Sequence, residues 1–296
     1  MGAPNSKNEK EKHYSNFVLV RQEEVQALGK YEVYNDAAGG KYYLVFESSY
    51  SITNPELAES EITQLRKLDG IRNACCLLEQ SISKSQVLCF DNFSISLSFE
   101  FYKDSLAQPS PTKTMRDEQE IWLIVADLCN YLQELNSFGL SNGDLQPKFI
   151  LFNQNKVAKV VSPLLYTTYQ NAYRLRLAND DYRSTFSPEL LQHYQHRNNS
   201  PDYDPVRSDI FSLGICLLSY IYSEPFESFY NFKENTVNFD KVKSMLSELV
   251  RLKYSDELFY FVNNCLKQSF YERATLDVLL KIIASRKQGN RNQYWQ

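Results

Sequence analysis

The sequence predicts an α+β protein in two lobes, a small antiparallel β lobe with one helix followed by a larger, mainly helical one. Three observations predict it. Strand-like runs crowd the first third of the chain: NFVLV (16–20), YEVYND (31–36) and KYYLVFES (41–48). Past residue 116 the apolar residues recur at three and four instead, as Ile121, Ile124, Val125, Leu128, Leu132 and Leu135. Residues 209–222 are apolar nearly all round, the mark of a helix buried on every side.

The remaining elements follow in order. Residues 1–16 are polar, charged and aperiodic, so a flexible tail is expected. The AAGG at 37–40 is a turn signal between two strand-like runs and predicts a hairpin. Asn54-Pro55 opens a helix with an apolar stripe at Leu57, Ile62, Leu65 and Leu68, and Gly70 ends it. CCLLEQS (75–81) and ISLSFEFY (95–102) read as two further strands. The Pro/Ser/Thr-rich stretch 105–116 reads as a connector. Amphipathic helices are expected at about 240–252, 256–267 and 276–286, with Ser255 and Thr275 as N-caps. The expected organisation is a tail over 1–16, a small lobe over 17–104, a helical lobe over 105–286 and a second tail over 287–296.

Composition narrows the function. The 296 residues are 43% hydrophobic and 23% charged, ordinary for a globular protein. A net charge of -4 with a pI near 5.6 argues against nucleic acid, which would call for a basic surplus. No apolar run reaches the ~18 residues that span a bilayer. ICLLSYIY, Ile215 to Tyr222, is read as a helix interior. The charged N-terminus has no apolar stretch behind it, so no secretory leader is expected. The six cysteines (75, 76, 89, 129, 216, 265) show no C-x-x-C spacing and read as small buried hydrophobes in a reducing compartment. Cys75 and Cys76, neighbours in an expected strand, should point to opposite faces. A cytoplasmic location is expected, with membrane association or membership of a cytoskeletal assembly as the variants.

The most informative stretch is NGDLQPKFIL, Asn142 to Leu151. It resembles the catalytic loop of the eukaryotic protein kinases, whose pattern is H-R-D-L-x-x-x-N. Asp144 stands at the place of the catalytic base. Asn142 and Gly143 replace the His and Arg, and Phe149 replaces the metal-binding Asn. Further matches follow in family order: SPELL (187–191), SDIFSLGI (208–215) and ERAT (272–275). The resemblance covers roughly residues 17–286 and implies a two-lobed kinase-like fold. It also implies that Glu189 and Arg273 form a buried ion pair and that Asp209 accepts hydrogen bonds from the catalytic-loop backbone.

The nucleotide side departs from the family. Of the glycines of G-x-G-x-x-G-x-V, the segment 23–33 keeps Gly29 alone. The place of the V-A-I-K lysine falls to Phe46. Glu61 matches the helix glutamate that would pair with that lysine; its other reading is a solvated helix carboxylate. Lys30 could enter the cleft from the neighbouring strand, but a solvated strand lysine is the better reading. The D-F-G motif falls on Ser162, Pro163 and Leu164. Between Asp144 and Asp180 there is no Asp or Glu, whereas magnesium on a triphosphate usually takes one or two protein carboxylates. Asp144 without metal and lysine supplies no useful rate, because these carry most of the charge neutralisation in phosphoryl transfer. Its structural reading, a side chain bonding a nearby backbone amide after an Asn-Gly turn, is preferred.

The reading that results is a catalytically dead kinase-like protein, a pseudokinase, that binds other proteins. No cofactor is expected; ATP and Mg enter only under the alternative of a divergent active kinase phosphorylating Ser/Thr. A third reading is a component of a larger assembly. The segment 162–189 holds Tyr166, Tyr169 and Tyr182, which read either as phosphorylation sites answered by Arg174, Arg176 or Arg183, or as an unregulated surface loop. MGAPNS matches the myristoylation pattern at Gly2, the other reading being a disordered polar tail. Membrane association would be weak and would need that lipid, since Glu9 and Glu11 offset Lys7, Lys10 and Lys12.

Overall fold

The computed structural model describes residues 17–25, 29–36, 41–50, 63, 70–87, 90–108, 115–143, 145–161, 186–196, 198 and 202–293. It is a mixed α+β architecture, compatible with a two-lobed kinase-like fold. Five strands make one antiparallel sheet: β1 (Phe17–Val25), β2 (Gly29–Asp36), β3 (Tyr42–Tyr50), β4 (Leu77–Val87) and β5 (Phe90–Phe101). Their order in space is β1-β2-β3-β5-β4. β2 and β3 pair as a hairpin from Asn35↔Tyr42 to Lys30↔Glu47, although the AAGG turn lies outside the described residues. In β5, Leu97, Ser98 and Phe99, which alternate between faces, are 1%, 5% and 2% exposed, so both faces are covered there. The helix expected after Asn54-Pro55 also lies outside the described residues, apart from Thr63.

β4 begins at Leu77, so Cys75 and Cys76 precede the strand rather than open it. The reason is a competing partner. The backbone of 73–75 pairs with a later segment: Val160 N–H donates to Asn73 O (2.7 Å) and Cys75 N–H to Val160 O (2.8 Å). Asn73 Nδ2 adds a bond to Ala158 O at 2.9 Å, and Lys159 Nζ one to Arg72 O at 2.6 Å. Cys75 is buried and Cys76 half-buried. This stitch joins the sheet to a three-stranded ribbon of β6 (Asp104–Ser105), β7 (Ile150–Phe152) and β8 (Ala158–Val160). The start of the expected connector is therefore docked: Leu106 is buried and donates its N–H to Ile150 O at 2.8 Å.

The helical part holds six α-helices among the described residues: α1 (Glu118–Ser137), α2 (Pro188–Gln195), α3 (Pro205–Tyr222), α4 (Phe239–Arg251), α5 (Asp256–Cys265) and α6 (Leu276–Gln293). A two-stranded hairpin, β9 (Tyr230–Asn231) and β10 (Thr236–Val237), precedes α4. At four of these helices a side chain caps the N-terminus. Asp117, Asp204, Asn238 and Ser255 accept a backbone N–H from the first turns of α1, α3, α4 and α5, filling donors a helix cannot satisfy internally. α1 buries Ile121, Ile124, Val125, Leu128, Leu132 and Leu135. α3 is the spine, buried from Ser208 to Ile221. Gly214 lets α5 approach closely, since a Cβ there would stand 2.7 Å from Leu266 Cγ and 2.8 Å from Cys265 Cβ. No helix among the described residues is long and apolar enough to cross a membrane.

Candidate functional site

The stretch 142–151 leaves α1 through Gly139, whose φ of +69° suits a residue without a Cβ. Its first two amides point backwards into the spine: Asp209 Oδ2 accepts from Asn142 N–H at 2.6 Å and Oδ1 from Gly143 N–H at 2.8 Å. Asn142 Nδ2 donates to Tyr131 OH at 2.9 Å, and burial pushes that phenol's pKa up. Asp209 is 2% exposed, so its charge depends on these fixed donors rather than on water. Leu145 follows, buried, its carbonyl facing Cys216 Sγ at 3.5 Å. Pro147–Phe149 form a single 3-10 turn that feeds β7.

Phe149 ends that turn. Its side chain is 3% exposed, with Lys148 Nζ lying 5.0 Å from the ring centroid, and its carbonyl takes Val161 N–H at 3.0 Å. A phenyl ring offers a cation no lone pair. Gly29 opens β2 opposite Val25. Phe46 stands in the ladder opposite Tyr31 and Leu97, and Lys30 stands opposite Glu24 and Glu47. Gly2, Glu61, Asp144, Ser162 and the tyrosines at 166, 169 and 182 lie outside the described residues. Among the described residues no group of three or more His, Cys, Asp or Glu could hold a metal ion.

A second anchoring point sits behind α3. Arg273 meets Glu189 at two points, Nη1 to Oε1 at 2.8 Å and Nη2 to Oε2 at 2.9 Å, the side chains being 0% and 10% exposed. The guanidinium also donates to Arg207 O (2.8 Å) and lies over the Phe211 ring at 5.0 Å. Arg207 returns the bond to Arg273 O at 2.6 Å, while Ser208 and Ser187 share a hydroxyl–hydroxyl contact of 3.0 Å.

Sequence reasoning missed two parts. Glu118, in the first turn of α1, accepts from Trp122 Nε1 (2.9 Å), from both Ser255 N–H (2.9 Å) and its hydroxyl, and from Arg286 (3.2 Å). Burial alone would raise its pKa, but the Ser255 bonds, Trp122 and Arg286 outweigh it and hold the carboxyl below its ordinary value. Its only signal was a carboxylate beside the Asp117 cap. The stitch of Asn73 and Lys159 left no local signal at all.

A curated protein matches part of the chain: the membrane-associated tyrosine- and threonine-specific cdc2-inhibitory kinase wee-1.3 of Caenorhabditis briggsae, 29% identical over 119 residues. The similarity is to a kinase. It covers 40% of this chain and 17% of that protein, so a kinase-like relationship is what it supports. No family model matches the chain.

Proposed function

We propose that this chain is a catalytically inactive kinase-like protein that works by binding other proteins. One observation carries the reading: Phe149, at the place where the resemblance puts a metal ligand, is a buried ring in a loop whose anchors need no nucleotide. The sequence adds that no Asp or Glu occurs between Asp144 and Asp180, Ser162 standing where the metal-binding carboxylate belongs. A hard divalent ion on a triphosphate then has no carboxylate from this segment. The partners are proteins and the place of action is the cytoplasm, with any membrane contact dependent on a lipid at Gly2.

The second reading, a divergent active kinase, is favoured by Asp144 at the base position and by the kinase named above. Thermal melting of the full chain with ATP, with and without magnesium, separates the two. A productive nucleotide site filled at 100 times its Kd would stabilise by about 2.7 kcal/mol. The inactive reading expects no magnesium-dependent rise and no phosphoryl transfer from labelled ATP to itself or to a mixed Ser/Thr/Tyr peptide pool. A rise that vanishes with EDTA, together with transfer, would establish the active reading instead.

A further inference from the structure

Away from the 142–151 loop lies a groove of about 830 Å³, walled by α2, by β10 with the first residue of α4, and by the 268–272 turn. This is within the ~300–1,000 Å³ range of clefts that bury a drug-sized ligand. Its walls are fixed. Gln195 Nε2 donates to Glu234 O (2.6 Å) and Asn235 O (3.2 Å), tying α2 to the β9–β10 turn. The Glu189–Arg273 pair holds α2 to the other wall, and Arg207 holds the Phe270 carbonyl at 2.5 Å.

Chemistry, not shape alone, says what fits. The lining is part apolar, with Leu191, Val237, Phe239 and Phe270. Tyr271 stands 81% exposed, its ring 3.9 Å from that of Phe270. Three carboxylates line the groove, Glu189, Asp202 and Glu272, and no lysine or arginine does among the described residues. Glu189 is taken by Arg273, whereas Asp202 and Glu272 are exposed and form no ion pair among the described residues. A guanidinium answers both features, stacking on an aromatic face and pairing in-plane with a carboxylate.

We infer that this groove docks an extended segment of a partner protein carrying arginine next to an apolar residue. The apolar side chain enters between Val237 and Phe270, and the arginine lies on Tyr271 within reach of Glu272 or Asp202. The inference deepens the protein-binding part of the reading above but does not depend on whether nucleotide binds. The two fail separately, because one is read by magnesium-dependent melting and the other by peptide binding.

The test uses the full chain and two fluorescein-labelled pentapeptides, Gly-Arg-Phe-Arg-Gly and its charge-reversed form Gly-Glu-Phe-Glu-Gly, followed by fluorescence anisotropy. Binding of the basic peptide alone is expected, weakening as salt rises. Glu272→Lys and Tyr271→Ala, both at the surface, should each weaken it roughly tenfold, while Glu257→Lys on exposed α5 surface leaves it unchanged. Equal binding of the two peptides, or indifference to both groove variants, overturns the inference. So does a salt-sensitive dimer, seen by sedimentation, that Glu272→Lys dissolves, because the occupant would then be a second copy of the chain.

Discussion

Asp209 holds the backbone of Asn142 from behind, its Oδ2 2.6 Å from the Asn142 amide nitrogen and its Oδ1 2.8 Å from that of Gly143. Both oxygens are used in directed bonds at a site closed to solvent. The geometry of the loop is therefore set by a charge on the spine helix, sixty-odd residues downstream in sequence. Asp209→Asn leaves one oxygen for two donors and turns an amide NH2, itself a donor, toward the other backbone N–H. A loss of about 2–3 kcal/mol in urea unfolding is expected.

Arg273 gives a larger effect. Arg273→Met keeps the volume but strands the Glu189 carboxylate, which is 10% exposed, and the carbonyl of Arg207. A loss of about 3–5 kcal/mol is expected. The double variant Arg273→Met/Glu189→Leu should recover part of it, because no unpaired charge then remains. Equal stability of the single and double variants would mean that the carbonyl bonds, rather than the ion pair, carry the anchoring.

Glu118 makes stability depend on acid. Its carboxyl is held below the ordinary value of 4.5 in the folded chain, so its contribution is complete above that pH. It is lost as pH falls through the lower folded value, where the native carboxylate is forced to take a proton. Glu118→Gln should melt below the parent at pH 7, and the two melting temperatures should converge on acidification. A constant gap across that range would place the effect in packing against Trp122.

Thiol reactivity should follow burial. Burial pushes the Cys129 thiol up to about 12 and raises Cys75 and Cys265 as well. A thiol held in that state is a poor nucleophile. Iodoacetamide at pH 8 followed by peptide mapping should leave these three unmodified until denaturant is added, with half-buried Cys76 labelled before them.

How legible all this was depends on the range of the forces. α1 and α3 were readable because burial writes a helical period, or its absence, into consecutive residues such as Ile121 to Leu135. β6 to β10 are two or three residues long and leave no window for alternation. β4 and β5 run further than the apolar runs suggest, from Ile82↔Ile95 out to Val87↔Phe90, because cross-strand backbone bonds sustain a polar hairpin. In the site, the loop of 142–151 was visible as a motif. The groove was not, since α2, β10 and the 268–272 turn meet only in the fold.

The stitch at Asn73 and Cys75 bears on where this chain can be cut. β8 receives bonds from residues upstream of the whole β4–β5 hairpin. A fragment begun at 105 would leave the Val160 amide and carbonyl without their mates and bare the edge of a short ribbon. The helical half borrows its outermost thread from the other half. A fragment meant to keep the ribbon whole should therefore retain residues 70–76 or be given a substitute strand.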